Sequence, residues 1–491
     1  MLIALLALGL YWVTLAPTVL WSDCAHLQLQ AVRGTLQASA GSHPLWAGIA
    51  HLFSRIPVGD IAGRVNLVSA IFGALTVGLL RLIMHEVGLP RKPSLVATLA
   101  FGVSHTFWTH SVTAEAYSLT LSLMATLVWL ALRWYHTGRV CYLAWVGLMA
   151  GLGLAAHLMV VLYAPALIWL AWRGRAHLDG RALLSFAVAL VVGLVPLAGL
   201  MARDALMMGF DGNELMRWVL FTFEGYDFGP RFFDFSLHLL PSDVLHWAVF
   251  LGLQFVGLAG ILGIIGAVVV WKVARRDLAV FLVLLYVGVM IFAFAYRVGE
   301  RYAYYVPAYL PFAVWIGFGF ARVRDPPWAV APAFRAERWL WAGVVILVIL
   351  VPLATYRLAP ELVSRGITIR DARRVPGPRS KYFFLWPPKT GYDDARSFGE
   401  AALAAVPRNG VLLAEPILLE PMRFLQEVEG ARPDVTLRYC CWDLEDALLA
   451  AKGRPIALAA LAPTPHSVVR LEERYQLSSR GPIYLLEKRV P

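Results

Sequence analysis

The sequence predicts an α-helical polytopic membrane protein with about eleven spans and a small C-terminal α/β domain outside the membrane. Three observations carry this prediction. Hydrophobic residues make up 59% of the 491 residues and charged residues only 15%, against roughly 45–50% and about 25% in soluble chains. Several windows exceed ~18 nearly uncharged apolar residues, enough to cross a bilayer as a helix. Lys and Arg gather in alternate loops, as orientation in a membrane demands. A soluble enzyme, a disordered chain and a fibrous protein are excluded, because such an apolar surface has too few polar groups to face water.

The candidate spans lie near 1–21, 64–84, 94–111, 115–134, 140–156, 157–172, 182–201, 244–271, 278–296, 302–321 and 339–356. The first is read as an uncleaved helix, since it lacks a basic leader and a clear cleavage site. Alternate connections hold Arg81, Arg91 and Lys92; Arg133 and Arg139; Arg173, Arg175 and Arg181; Lys272, Arg275 and Arg276; and Arg322, Arg324, Arg335 and Arg338. The loop 202–243 on the other side carries three Arg against seven acids. The N-terminus is therefore expected in the cytoplasm and residues 357–491 outside. The net charge of +11 is absorbed by this orientation, so no nucleic-acid partner is expected.

In loop 22–63, Leu45, Trp46, Ile49, Leu52, Phe53 and Ile56 form one apolar helical face, and Ala25, Leu29, Val32 and Leu36 form another. Two short amphipathic helices on the membrane surface are expected. The chain divides into a membrane domain 1–356, a Pro- and Arg-rich linker 357–390, and a domain 391–491. In that domain, helix signals at 393–406, 417–429, 443–452 and 465–475 alternate with strand-like runs at 410–414, 435–439, 455–461 and 483–489. The alternation predicts a parallel sheet with covering helices. Cys24, Cys141, Cys440 and Cys441 fit neither a disulfide framework nor a metal-ligand spacing.

Ionisable groups gather at the outer ends of the spans, where charge is costly and usually functional. Asp23 follows the first span. Glu115 lies within 107–119, and His157 falls between the fifth and sixth spans. Glu300 and Arg301 precede the tenth, flanked by Arg297, Tyr302 and Tyr304. Each has a plainer role open to it: Asp23 as a helix cap, Glu115 as a dipole-favoured acid, His157 as a packing residue, the arginines as headgroup contacts. His43 and His110 are open in the same way, and nothing in their spacing requires a metal.

Leu-Ala-Pro-Thr-Val-Leu-Trp-Ser-Asp (15–23), His-Pro-Leu-Trp (43–46), Arg-Val-Asn-Leu-Val-Ser-Ala (64–70), Phe-Trp-Thr-His-Ser-Val-Thr-Ala-Glu-Ala-Tyr-Ser-Leu (107–119), Ala-His-Leu (156–158) and Gly-Glu-Arg-Tyr-Ala-Tyr-Tyr-Val-Pro-Ala-Tyr (299–309) occur in this order, with Phe-Leu-Gln-Glu-Val-Glu-Gly-Ala-Arg-Pro-Asp-Val (424–435) in the tail. In these segments the chain resembles the GT-C type of membrane glycosyltransferase. The likeness is to a bacterial branch related to the transmembrane O-mannosyltransferase acting on receptor IPT domains. The resemblance implies an inverting transfer of a sugar from a polyprenyl-phosphate carrier to an acceptor hydroxyl on a protein or glycan, outside a bacterial inner membrane. It makes Asp23 the base. Arg297 and Arg301 suit the carrier phosphate, because a guanidinium pairs with phosphate oxygens as a fork. Glu115 and His157, with His43, His110 and Tyr302, are expected around the donor. The family's second acid is replaced by Cys24, Ala25 and His26, so no metal and no other cofactor is expected. A lipid or polymer transporter, or a non-catalytic scaffold of transferase descent, are the alternative readings; a transporter would call for internal repeats and mid-span charge.

Overall fold

In the computed structural model of the chain, the described residues are 1–34, 43–209, 211–212, 236–298, 300–324, 334–365, 375–440, 448, 451, 453–460 and 475–488. The membrane portion contains α1 (Leu2–Val13), α2 (Ser22–Arg33), α3 (Pro44–Ser54), α4 (Ile61–Glu86), α5 (Arg91–Gly102), α6 (His105–Val112), α7 (Tyr117–Thr137) and α8 (Val140–Ala156). After a 3-10 stretch Leu158–Tyr163 come α9 (Ala164–Arg173), α10 (Gly180–Met208), α11 (Leu240–Gln254), α12 (Leu258–Val273), α13 (Arg276–Ala295), α14 (Val306–Arg324) and α15 (Phe334–Ser364). Among the described residues six helices are long and apolar enough to cross a membrane, or seven if the bent pair Leu237–Gln254 and Leu258–Val273 counts as one span. Shorter apolar helices cover Leu2–Val13, Val140–Ala156 and Leu158–Arg173.

Three of the expected spans take a different form. The first is only 12 residues long; the Thr14 hydroxyl bonds back to Leu10 O at 2.7 Å, and the chain then turns toward α2. The window 94–111 is two helices, broken where Ser104 is the N-cap of α6. The window 244–271 is α11 and α12, bent by 117° at Gly257, whose φ of +66° suits glycine. The carbonyls freed by that break are bound: the Tyr356 hydroxyl donates to Leu253 O at 3.0 Å. Gln254 donates to the Thr106 hydroxyl at 2.5 Å and accepts from Thr106 N at 2.9 Å. Broken helices persist at membrane depth where neighbours satisfy the backbone in this way.

Glycines set the tightest helix crossings, as expected where small residues let backbones meet. A Cβ on Gly147 of α8 would stand 2.3 Å from Phe186 O of α10. On Gly266 of α12 it would stand 1.7 Å from Trp315 O of α14. Backbone cannot step aside as a flexible side chain can, so Gly266→Ala is expected to cost about 1–3 kcal/mol through overpacking. The check is a lowered thermal midpoint of the detergent-solubilised protein; an unchanged midpoint would place α12 and α14 further apart than drawn here.

The tail contains α16 (Ser380–Leu385), α17 (Asp394–Ala405), β1 (Val411–Ala414), α18 (Pro416–Glu429), β2 (Thr436–Tyr439), β3 (Ile456–Ala459), β4 (Tyr475–Arg480) and β5 (Ile483–Lys488). The sheet order is β2-β1-β3-β5-β4. Strands β1, β2 and β3 are parallel, as the alternation predicts. The last two are not: β5 runs antiparallel to β3 and forms a hairpin with β4. The expected helix 465–475 lies outside the described residues except for Tyr475, which starts β4. The expected helix 443–452 also falls largely outside them, as does Leu36 of the first amphipathic stripe.

Helix α2 does not rest on a membrane surface alone. Its Trp21, Cys24, Ala25 and Leu29 side shares one apolar core with Leu418, Met422 and Leu425 of α18. Its other side, Leu27 and Ala31, packs on Trp46, Ala47 and Ala50 of α3 and on Val65 and Val68 of α4. The period of α2 thus buries two stripes, one against the tail. Of the stripe 45–56, Trp46 is buried in the core with Leu27 and Ala31, while Leu52 and, just past the end of α3, Ile56 are exposed.

Candidate active site

The turn 14–21 is built to hold the start of α2. Ala16 N bonds Val112 O at 3.0 Å, and Asn66 of α4 donates to Ala16 O at 2.9 Å. Asn66 accepts from Gln28 Nε2 at 2.8 Å, and Leu20 N donates to Gln28 Oε1 at 3.3 Å. The tail closes the turn from the other side: Trp21 Nε1 donates to the Tyr392 hydroxyl at 3.0 Å, and Arg396 Nε to the Thr18 hydroxyl at 2.7 Å. Thr18 in turn donates to Asp60 Oδ2 at 3.0 Å. Buried amides with their bonds made fix a turn firmly, since losing any one strands its partner.

This scaffold places Asp23 in the exposed first turn of α2, directly after Ser22, whose φ is +53°. Non-glycine residues with positive φ recur at two other links here, His43 at +44° and Glu300 at +63°. Such strain persists only where the surroundings impose it, and it clusters at functional sites. One residue on, Cys24 Sγ donates to Glu115 Oε1 at 3.3 Å. Glu115 is pinned by Ser69, whose hydroxyl donates to Glu115 O at 3.1 Å. The Cys24 thiol thus ties the first turn of α2 to Glu115, and both Asp23 and Glu115 act electrostatically on Tyr117.

A ladder of rings continues from them. His43 and His157 stack at 4.8 Å and 22°. Tyr117 lies 5.8 Å from His157, 4.7 Å from His110 and 6.3 Å from Tyr304, edge on. The Asp23 carboxylate is within electrostatic reach of His26, His43, Tyr117 and Tyr304, and Tyr117 is within reach of Glu115 and Tyr302. His43 Nδ1 donates to Ala156 O at 3.2 Å; its burial pushes the imidazole below its usual value, so it stands neutral. Asp23, Glu115, His43, His110 and His157 thus form one cluster, and Tyr302 borders it.

Arg297 and Arg301 share a partner that the sequence reading did not single out. Both converge on Asp243 of α11, Arg301 Nη1 at 2.6 Å from Oδ1 and Arg297 Nη2 at 2.7 Å from Oδ2. Asp243 and Arg301 are buried. Tyr302, next to Arg301, stacks on Phe250 at 5.2 Å and meets Phe384 of α16 edge on at 5.0 Å. Two guanidinium groups share this one carboxylate, and Tyr302 links their neighbourhood to Tyr117 of the ring ladder.

Sequence reasoning missed Asp243, Tyr117, Lys389 and Glu420. Asp243 carried one local signal, an acid opening an apolar helix. Lys389 is only 1% exposed, with its ammonium donating to the carbonyls of Trp386 and Pro387; burial pushes its amine down to about 7. Among the described residues no group of three or more His, Cys, Asp or Glu side chains is arranged to hold a metal ion.

Broken helices within the membrane portion, an acid on the first loop and a tail packed against it describe a multi-pass helical membrane protein whose fold is like that of solved GT-C type proteins. More particularly, residues 23–179 match the family model described as the N-terminal domain of protein O-mannosyl-transferase TMEM260. The match opens on Asp23 and takes in His43, His110, Glu115 and His157. Protein O-mannosyl-transferase TMEM260 of Mus musculus is 28% identical over 162 residues, which is 31% of this chain and 23% of that protein. The matched part therefore spans about a quarter of that relative. The crystal structure of ArnT from Cupriavidus metallidurans in the apo state has a TM-score of 0.56 at 14% identity, covering 99% of this chain and 97% of that one. Arabinofuranosyltransferase AftD from Mycobacteria gives 0.51 at 14% identity, covering 100% of this chain and 40% of its own. At such identity these two structures show likeness of fold.

Proposed function

We propose that the protein is an inverting glycosyltransferase that moves a sugar from a polyprenyl-phosphate carrier to an acceptor hydroxyl. The observation that carries this reading is Asp23 at an exposed helix start, whose neighbour Cys24 bonds Glu115, with both acids acting on Tyr117 in a ladder of rings. Asp23 is the base for the acceptor proton, reachable from water. Glu115, His43 and His157 orient the sugar, whose apolar face suits stacking on Tyr117. The Arg297 and Arg301 guanidinium groups, adjacent to Tyr302, hold the carrier phosphate as charge develops on it. The mannose named in the curated relative makes polyprenyl-phosphate mannose the first donor to try. The test is release of polyprenyl phosphate from that synthetic donor by the purified protein in nanodiscs; no turnover with any polyprenyl-phosphate sugar would defeat the reading.

The basic loops put the N-terminus in the cytoplasm and the tail on the far side of a bacterial inner membrane. Single cysteines introduced at Arg175 and Glu400, with Cys141 replaced, are expected to react with an impermeant thiol reagent from opposite sides. Labelling of both from one side would invert or break this topology.

Arg301→Ala is expected to weaken donor binding about ten- to a hundredfold, the worth of one charged hydrogen-bond partner. Arg301→Lys recovers part of this, keeping the charge and losing the fork. Titration of the donor into each variant by fluorescence checks it; unchanged affinity in both would move the phosphate elsewhere.

A further inference from the structure

We propose that the tail takes part in the reaction through a Glu420–His26 dyad that relays the acceptor proton away from Asp23. The proposal rests on the reading of Asp23 as the base.

His26 follows Asp23 by three residues on α2, so the two side chains lie on one helix face a turn apart. The Asp23 carboxylate acts electrostatically on His26. Across the seam, His26 Nδ1 stands 3.5 Å from Glu420 Oε2 on α18. The imidazole is 55% exposed at its side chain and the Glu420 carboxylate 5%, so one end of the dyad is open to water and the other is fixed. Tyr439 donates to Glu420 Oε1, and Arg423 reaches the same oxygen at 3.4 Å while lying 4.5 Å over the Tyr439 ring. A buried carboxylate held by a tyrosine and an arginine, and aimed at one imidazole, resembles the orienting acid of a catalytic triad more than a surface clamp. Nor is a clamp needed at this point. Arg33 already pairs with Glu427, and Arg396 with Asp60 at 3.1 Å.

The charged and titratable groups facing His26 are Asp23 and Arg33 on its own helix, His43 at the start of α3, and Glu420 on α18 backed by Arg423 and Tyr439. The Glu420 carboxylate 3.5 Å away raises the imidazole's proton affinity, and burial opposes it with less effect. Burial would lift the Glu420 carboxyl, but the nearby His26 and the bond from Tyr439 bring it below its usual value. Glu420 therefore stays ionised and His26 is the member that takes a proton.

In the step itself, the acceptor oxygen bonds to the anomeric carbon and gives its proton to Asp23. The bond from that carbon to the phosphate oxygen breaks, and its electron pair leaves with the phosphate. Asp23 passes the proton to His26, where Glu420 stabilises the imidazolium, and His26 releases it to water. His26 acts through Asp23 and is a positioning residue. It must be neutral to accept, so activity rises with pH through its ionisation.

The test uses the full-length protein in nanodiscs with polyprenyl-phosphate mannose, measuring kcat and KM against pH for the parent, His26→Gln, Glu420→Gln and Asp23→Asn. His26→Gln is expected to lower kcat about 10- to 100-fold, at the lower end of general acid–base contributions, with the donor KM unchanged. Glu420→Gln removes the partner that raises His26, so the acid limb moves to lower pH by roughly one unit. NMR titration of labelled His26 should show the same displacement without any turnover. A merely structural His26 would leave the pH limb in place in both variants. Loss of turnover in Asp23→Asn with a parent-like rate and profile in His26→Gln overturns the dyad alone. Full turnover in Asp23→Asn overturns the base and the dyad together.

Discussion

Asp23→Asn abolishes transfer and leaves the fold intact. The loss expected of a general base is about 10²–10⁴-fold in kcat, because the amide keeps the shape of the carboxylate and cannot take the acceptor proton. Little stability goes with it. Asp23 is exposed and sits in the first turn of α2, where an acid contributes about 0.3–1 kcal/mol through the helix dipole. The turn beneath it is held by Asn66, Gln28, Trp21 and Thr18, and none of these bonds uses the Asp23 side chain. Turnover of polyprenyl-phosphate mannose and the thermal midpoint, measured on one preparation, separate the two effects. A midpoint lowered by more than about 2 kcal/mol equivalent would make Asp23 a cap. Parent-like turnover would remove it from the chemistry.

Much of the fold was legible because it is written locally. Apolar windows mark α4, α7, α10 and α13 to within a few residues, and the period of 45–56 marks α3. The strands β1, β2, β3 and β5 follow from short apolar runs between turns. What was hidden is what two distant segments decide together. The break between α11 and α12 needs Tyr356 to bind the freed carbonyls and Thr106 to bind the Gln254 side chain, and neither is near residue 257 in sequence. Strand β4 is recognisable only through its pairing with β5. The apolar stripe of α2 reads as a membrane face, since lipid and the core around Leu418 and Met422 ask for the same residues. In the site, the sequence placed Asp23, Glu115 and His157 on one side of the membrane. It could not show that Cys24 meets Glu115, across 91 positions, or that Glu420 meets His26 across the seam with the tail. Arg297 and Arg301 were visible as cations, and their partner Asp243 was not, because 54 and 58 positions separate them.

That buried triad carries the other large effect. Asp243→Ala removes the carboxylate on which the guanidinium groups of Arg297 and Arg301 converge. Asp243 is 2% exposed and Arg301 8%, so water cannot replace it cheaply. Removing one partner of a buried ion pair costs about 3–5 kcal/mol, mostly as the penalty of a stranded charge. The protein should therefore unfold at a markedly lower temperature in detergent. Inorganic phosphate discriminates between a purely structural triad and one that also receives the donor. If the two arginines are within reach of the site, millimolar phosphate should occupy the vacated position and restore part of the lost midpoint in Asp243→Ala, by mass action on the folded state. The parent, with Asp243 in place, should gain much less. A variant as stable as the parent would mean that the triad holds little of the fold together. A destabilised variant that phosphate cannot rescue would keep the triad structural and send the carrier phosphate to another part of the ring ladder.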